Sequence, residues 1–209
     1  MKIIEFGRYW KETGLENVPI EWIVLNETDE DLFVVSKQVV VSEMFDETTA
    51  NWKDCSIRKW LNNEFLRKAF NEYESPSILE KKIVTSNDME YVFGGFSYFK
   101  KYVETLDKVF LLSVDEVEQY FKTQESRVVE RSQYAIDTLE DDRKYVDCWW
   151  LRNEAYFDWA PLLIQGDGTY YGLAGAHNLE GIRPAMYIKR NYSELFQCEG
   201  QLTLDEILR

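Results

Sequence analysis

Apolar and polar residues alternate through the first part of the chain with the period of two that predicts β-strands. The segments "IEWIVLN" and "DLFVVSK" are rich in β-branched and aromatic residues, and the polar stretch "ETDE" separates them. Two such runs around a polar turn are typical of a β-hairpin. A shorter run, "KIIEFG", precedes them and ends at Gly7. We therefore expect the chain to begin with antiparallel strands.

The pattern becomes helical after residue 54. Apolar residues recur there at the spacing of one helical face: Ile57, Trp60, Leu61, Phe65 and Ala69. This period predicts an amphipathic helix with Ser56 as its N-cap. The following "SPSILEKKIV" indicates a short helical turn that begins at Pro76 and leads into a strand.

A second strand–helix pair is expected in "DKVFLLSVDEVEQYF". Ser113 and Glu116 have the spacing of a capping box, in which each side chain accepts a hydrogen bond from the backbone N–H of the other residue. Val114, Val117 and Phe121 share the face that would be buried. From residue 125 to residue 147 the chain is polar, which favours loops with at most a short helix.

The last third returns to strands. Short apolar runs, "CWWLR", "FDWAPLLIQ", "GTYYGLA" and "GIRPAMYI", are divided by polar or glycine-bearing stretches, among them the tight-turn sequence "QGDGT". Strands, two helices and further strands without βαβ alternation predict an α+β fold. We expect one domain over residues 1–190 and a tail over residues 191–209, in which "TLDEILR" forms a short helix.

Composition narrows the function classes. Among 209 residues, Lys and Arg number 24 and Asp and Glu 38, which gives a formal charge of 24 − 38 = −14. A negative surface disfavours nucleic acid and anionic membranes as partners. No apolar run approaches the ~20 residues that span a bilayer, and the chain starts without an apolar leader, so we expect a cytoplasmic protein.

Six ordered segments resemble a known family. "FGRYW", "PIEWIVL", "SIRKWLNNEF", "DKVFLLSVDEVEQYF", "CWWLRN" and "GIRPAMYI" are similar to a bacterial (Firmicutes-type) family of domains of unknown function with RKWLN, KVFLLS, WWLR and G-[VI]-RPA motifs. The paired WWLR and RPA segments also look like the ending of formylglycine-generating-enzyme-like (sulfatase-modifying-factor-like) domains and of retroelement target domains. This resemblance implies a C-type-lectin-like fold with small twisted antiparallel sheets, two main helices and long irregular loops. It implies no established activity.

The two motif segments are expected to form framework. Trp149 and Trp150 occupy adjacent strand positions, so their side chains point to opposite faces. Arg152 and Arg183, the latter followed by Pro184, are expected to reach inward and hold backbone carbonyls of irregular loops.

Ligand contacts are expected between the two motif segments, where aromatic residues mix with Asn, His and acidic residues. In the retroelement relatives, this interval carries the diversified binding residues. The candidate ligand-binding set is Asn153, Glu154, Tyr156, Asp158, Trp159, Tyr170, Tyr171, His177 and Asn178.

No residue pattern compels a chemistry. The three cysteines, Cys55, Cys148 and Cys198, are scattered, and none matches a cysteine position of the copper-binding oxidases among the similar domains. The lone histidine, His177, lacks the partners of a His-based metal site or a nucleophile elbow. We therefore expect no cofactor, no metal and no catalytic residue.

The favoured function is non-enzymatic recognition of a protein, peptide or glycan through an aromatic loop surface. An enzyme with an unrecognised carboxylate-based or metal-assisted site is one alternative. A structural interaction module of a bacterial or phage-linked assembly is another.

Overall fold

The computed structural model describes residues 2–9, 18–86, 102–132, 135, 148–155 and 159–192. These residues form mostly antiparallel sheet with two helical segments, so the predicted α+β class is confirmed. The predicted helix in "TLDEILR" lies outside them, as do most of the predicted loops between residues 125 and 147. The strands are β1 (Ile3–Tyr9), β2 (Val18–Glu27), β3 (Asp31–Ser36), β4 (Val41–Met44), β5 (Ile78–Leu79), β6 (Lys81–Ser86), β7 (Tyr102–Asp107), β8 (Val109–Leu111), β9 (Trp149–Glu154), β10 (Pro161–Ile164), β11 (Tyr170–Tyr171), β12 (Leu179–Ile182) and β13 (Pro184–Lys189).

The first sheet contains the predicted hairpin. Its order is β1-β2-β3-β13-β5, and β8 also pairs with β13. Strands β2 and β3 are antiparallel neighbours, which confirms the hairpin read from the sequence. Thr28 closes the turn, since its Oγ1 donates to Asp31 Oδ1 over 2.9 Å and accepts from the Asp31 N–H over 3.0 Å.

The second sheet contains β9, where the candidate ligand-binding residues begin, and β12, which follows the last of them. Its order is β11-β10-β9-β12-β4, in which β9 and β12 are parallel through the pair Gly181 and Trp149. The two strands approach closely at this point, since the Gly181 N–H donates to the Cys148 carbonyl over 3.0 Å. A Cβ atom at Gly181 would lie only 2.5 Å from that carbonyl oxygen, so glycine is required here.

The segment "GIRPAMYI" is two strands, and our prediction of one strand was wrong. Ile182 ends β12 in the second sheet, whereas Pro184 begins β13 in the first sheet. Pro184 opens the strand opposite Leu111, a position that suits a residue without a backbone donor. The single residue between the strands, Arg183, therefore lies where the chain passes from one sheet to the other.

The first helical segment covers residues 56–69. Helix α1 (Ser56–Trp60) continues into a π-helical turn (Leu61–Phe65) and helix α2 (Leu66–Ala69). Four of its five predicted face residues are buried and Trp60 is partly buried, so the predicted face is confirmed. The N-cap prediction was wrong by one residue: Cys55 holds that position and Ser56 is already helical. Asp46, ten residues earlier, accepts the Ser56 N–H over 2.8 Å in place of a local cap.

The second helix, α3 (Val114–Tyr120), begins with the predicted capping box. The Ser113 hydroxyl accepts the Glu116 N–H over 3.2 Å, and the Ser113 N–H donates to Glu116 Oε2 over 2.8 Å. Short 3-10 turns occur at Ser75–Ser77 and Glu125–Arg127. Strands β6 and β7 form a separate two-stranded ribbon.

A continuous hydrophobic core runs from Phe6 in β1 to Ile188 in β13. It includes four fully buried tryptophans, Trp22, Trp52, Trp149 and Trp150. No helix in the described part of the chain has the length and apolarity needed to cross a bilayer.

Candidate recognition surface

The tryptophan pair in β9 is anchored on both sides of its strand. Trp149 and Trp150 are both fully buried. The indole N–H of Trp149 donates to the Arg127 carbonyl, and that of Trp150 donates to the Glu43 carbonyl, each over 3.1 Å. Each indole thus fills the core and also satisfies a backbone carbonyl, one in the 3-10 turn Glu125–Arg127 and one in β4.

Arg183 is enclosed between aromatic rings. Its side chain is almost completely buried, and its guanidinium carbon lies 4.8 Å from the ring centroid of Phe121 and 5.0 Å from that of Trp149. The Nε donates to the Ser36 carbonyl over 2.8 Å, while no described residue accepts from the buried Nη1. Burial disfavours the charge and lowers the pKa of Arg183 to about 9.

Arg152 binds three elements at once. Its two terminal nitrogens form a fork with the Glu116 carboxylate over 2.5 and 3.0 Å. The same guanidinium donates to the carbonyls of Leu111 and Val84 and to the Thr85 hydroxyl. This bidentate, buried arrangement fixes β9 to α3, β8 and the ribbon.

Two members of the candidate ligand-binding set lie inside the fold. Asn153 and Glu154 are buried in β9. The Asn153 Oδ1 accepts the Val114 N–H over 2.9 Å, and its Nδ2 donates to the Ser86 carbonyl over 2.7 Å. The Asn153 amide is thus occupied in joining α3 to the ribbon, so we place neither residue on an open surface.

Tyr170 lies at the border of the surface. Its hydroxyl donates to Glu118 Oε1 over 2.5 Å, and the Arg127 guanidinium lies 4.7 Å from its ring centroid. Arg127 also pairs with Glu118 over 2.9 Å. Burial, and then the hydrogen bond to the Glu118 carboxylate, raises the pKa of Tyr170. These contacts hold the start of β11 against α3.

The remaining described candidates reach solvent. Trp159 and Tyr171 expose 43% and 40% of their surface, His177 is exposed, and Asn178 is half-buried. Tyr156 and Asp158 lie outside the described residues. Sequence reasoning missed three exposed apolar side chains: Met44 at the end of β4, Leu179 at the start of β12, and Leu173 between β11 and β12. Alternation alone could not distinguish these residues from core residues.

Backbone hydrogen bonds join these exposed residues. The Trp159 carbonyl accepts the N–H of Ala176, which precedes His177, and the Ala176 carbonyl in turn accepts the Phe45 N–H. Leu179 pairs directly with Met44 across β12 and β4. Tyr171 is opposite Leu163 in β10, so the chain from Tyr171 to Leu173 runs back towards Trp159. We call this set the loop face: Met44, Trp159, Tyr171, Leu173, His177 and Leu179.

A buried carboxylate at the base of the ribbon was also missed. Asp107 accepts from the indole of Trp52 over 3.1 Å, from Arg58 over 2.6 Å and from Thr105 over 2.5 Å. Asn62 lies in the π-helical turn, and its Oδ1 accepts the N–H of Lys108, the residue that follows Asp107. The sequence signal was the RKWLN motif, which supplies both Arg58 and Asn62. Asp107 is fully committed to these donors and joins the first helix to β7.

The two described cysteines, Cys55 and Cys148, do not form a disulfide with each other. Cys55 is buried and its thiol contacts the Trp52 carbonyl at 3.3 Å. Burial raises the pKa of Cys55 to about 12, which keeps the thiol protonated at neutral pH. Within the described ranges no group of three or more His, Cys, Asp or Glu residues is placed to hold a metal ion.

Comparison with known proteins places most of the chain in one family. The sequence model of a domain of unknown function, DUF6273, matches residues 29–190. The match spans β3 to β13 and therefore includes both motif segments and the whole loop face. No curated protein and no solved structure matches the chain significantly. The chain belongs to the DUF6273 family of domains of unknown function.

Proposed function

We propose that this protein is a non-enzymatic recognition domain whose loop face binds a protein, peptide or glycan. The observation that carries the proposal is the joint exposure of Trp159, which lies in the turn before β10, and Tyr171, which ends β11 of the same sheet. Large aromatic side chains supply contact area at little cost in conformational entropy, and they dominate many binding surfaces.

The framework beneath the loop face supports the same function. The β10 strand that follows Trp159 pairs with β9, where Trp149 and Trp150 are fully buried and hydrogen-bonded. A surface that is already held in place loses little entropy on binding. Leu173 and Leu179 extend it with apolar area, and His177 adds ring nitrogens for hydrogen bonds.

The C-type-lectin-like fold is part of this proposal. Small antiparallel sheets, two helical segments and exposed loops at one end of a sheet are compatible with that architecture. In that fold, the core holds the loops in place and the loops bind the ligand. We assign the first role to the buried tryptophan and arginine residues and the second to the loop face.

The experiment is a selection with two ligand classes. The immobilised protein is exposed to a random-peptide display library and, separately, to a glycan array. We expect one of the two to yield ligands that bind the wild-type protein. These ligands should no longer bind the double variant Trp159→Ser and Tyr171→Ser. Tyr73→Ser is the matched control, because Tyr73 is similarly exposed on a turn outside the loop face.

The outcome separates the ligand classes. Peptide ligands alone would indicate a protein or peptide partner, and glycan ligands alone would indicate a carbohydrate partner. Ligands that bind the double variant as well as the wild type would contradict the proposal, and so would a failure of both selections.

A further inference from the structure

The β6–β7 ribbon has one edge that is closed by side chains. Arg152 Nη2 donates to the Val84 carbonyl over 3.2 Å, and Asn153 Nδ2 donates to the Ser86 carbonyl over 2.7 Å. Both carbonyls belong to β6, and their donors lie in β9 rather than in β7. The backbone groups of Val84 and Ser86 therefore face outward from the ribbon.

The strand register identifies the outward-facing residues of β7. Glu104 is directly opposite Val84, and Tyr102 is directly opposite Ser86. Directly opposed residues of an antiparallel pair either both exchange hydrogen bonds or both point outward. Tyr102, Glu104 and, two residues further, Leu106 thus present their N–H and C=O groups on the outer edge of β7.

This outer edge is open over most of its length. Arg58 Nη2 donates to the Leu106 carbonyl over 3.2 Å and closes one end. Among the residues that the structure describes, no strand pairs with the outer edge of β7 and no group bonds to the outward backbone atoms of Tyr102 and Glu104. An unpaired strand edge of this kind is a template for strand addition.

Other edge strands are less suited to strand addition. The edge strand β1 carries a register irregularity between Glu5 and Arg8, and β5 and β11 contain only two residues each. In β4, the Glu43 carbonyl already accepts the Trp150 indole N–H. The outer edge of β7 is regular and is unoccupied from Tyr102 to Glu104, so it is a better template than these strands.

The side chains along this edge define what would fit beside it. Tyr102 and Leu106 are 59% and 62% exposed, and they flank Glu104 on the solvent side of the ribbon. The Glu104 carboxylate pairs with Lys82 over 2.8 Å but remains largely exposed. A neighbouring strand would therefore place an apolar, a cationic and an apolar side chain beside these three residues.

A second copy of this chain fits poorly. The antiparallel two-fold register with the largest overlap would place Glu104 directly opposite its own copy, and like charges in that position repel. The net charge of −14 adds repulsion between copies and favours a basic partner.

We propose that the outer edge of β7 binds an extended segment of a partner protein as an added antiparallel strand, the segment having an apolar–x–basic–x–apolar pattern. Backbone hydrogen bonds to Glu104 and Tyr102 provide the pairing. The Glu104 carboxylate selects the basic residue, and Tyr102 and Leu106 contact the apolar residues. This site is separate from the loop face and does not rest on the function proposed for it.

The probe is the fluorescein-labelled peptide Thr-Val-Thr-Lys-Thr-Ile-Thr, titrated into the full-length protein and followed by fluorescence anisotropy. Two matched peptides carry either Glu in place of Lys or an N-methyl group on the Lys backbone nitrogen. Both are expected to bind at least about tenfold more weakly, since the first reverses the charge and the second removes the donor to the Glu104 carbonyl. These peptide arms require no change in the protein. The proposal is supported if the parent peptide binds saturably and both altered peptides bind more weakly. It is overturned if the parent peptide does not bind, or if the altered peptides bind as tightly as the parent peptide.

Protein variants locate the site. Glu104→Pro removes the outward N–H but no hydrogen bond within the ribbon, and Glu104→Lys should exchange the preference from the Lys peptide to the Glu peptide. Glu72→Lys makes the same charge change on an exposed turn and should bind as the wild type does. The double variant of Trp159 and Tyr171 should also bind normally, so failure here is distinguishable from failure of the loop face. Unchanged binding by Glu104→Pro, or self-association of the wild type that Glu104→Pro abolishes, would overturn the proposal.

Discussion

The guanidinium of Arg183 lies against the indole of Trp149, with 5.0 Å between the guanidinium carbon and the ring centroid. The contact joins the two motif segments at the point where the chain leaves the second sheet for the first. Phe121 covers another side of the guanidinium, so the cation is held by aromatic faces and one carbonyl. Burial lowers the pKa of Arg183 to about 9, so the side chain remains charged at neutral pH, and stacking on the two rings offsets part of the cost of burying that charge.

The first prediction follows from that contact. Arg183→Ala should lower the free energy of unfolding by about 3 kcal/mol, because it opens a cavity between two rings and leaves the Ser36 carbonyl without its donor. Arg183→Met keeps most of the volume and removes a buried charge, so it should cost only about 1–2 kcal/mol, mainly because the Ser36 carbonyl loses its donor. Urea unfolding of both variants measures the difference. Equal losses would show that the charge, rather than the packing, stabilises this position.

The second prediction concerns the Arg152–Glu116 fork. Arg152→Ala should lower the free energy of unfolding by about 3–5 kcal/mol, since it removes the charged partner of the half-buried Glu116 carboxylate and the donor to the Leu111 and Val84 carbonyls. Glu116→Gln should cost less, because an amide oxygen can still accept from both Arg152 and the Ser113 N–H. A double-mutant cycle by chemical unfolding tests the coupling. Additive losses from the two changes would contradict a direct interaction between these side chains.

Gly168 provides the third prediction. Its φ is +85°, and a Cβ atom there would lie 2.0 Å from the Gln124 carbonyl oxygen. Gly168→Ala should therefore lower the free energy of unfolding by at least about 2 kcal/mol and displace the turn before Tyr170. Gly166→Ala is the matched control, because Gly166 is not among the described glycines with positive φ. If thermal unfolding shows equal losses for both variants, the assigned backbone conformation is wrong.

The fourth prediction is an alkaline loss of stability that depends on Cys55. Burial raises the pKa of this thiol from 9.0 to about 12 in the folded protein, so the unfolded chain loses the proton first. The contribution to stability is complete below about pH 9 and is lost as the pH rises towards 12. The slope for one such group is at most about 1.4 kcal/mol per pH unit.

Chemical unfolding at pH 8.5 and pH 10.5 measures this effect. Cys55→Ala should start less stable than the wild type because packing is lost, but its stability should fall less between the two pH values. Tyr187, whose pKa burial also raises to about 12, contributes equally to both proteins and cancels in the comparison. Identical pH slopes would contradict a buried, protonated thiol at residue 55.

Local features were predicted well because their causes lie within a few residues. The capping box depends on Ser113 and Glu116 alone, and the β2–β3 hairpin depends on two alternating runs around a polar turn. The π-helical turn and the change of sheet at Arg183 escaped prediction for the opposite reason. Both halves of "GIRPAMYI" have the pattern of a strand, and only pairing with β4 and β3 separates them.

The candidate site shows the same limit. Asn153 has the composition of a ligand-binding residue, yet its partners Val114 and Ser86 are 39 and 67 residues away in the sequence. Nothing in the sequence around Trp159 distinguishes it from the buried tryptophans. Only the packing of the fold places it at the surface. Residue type identified the region, and tertiary contacts decided which members face solvent.

The most direct test of the recognition function is the affinity of the best selected peptide or glycan for three proteins, measured by isothermal titration calorimetry. These are the wild type, the double variant Trp159→Ser and Tyr171→Ser, and the control Tyr73→Ser. We predict that the double variant binds at least about a hundredfold more weakly, as expected when two aromatic anchors are truncated, while the control matches the wild type. Equal affinity of the double variant and the wild type would contradict the assignment of the loop face as the binding surface.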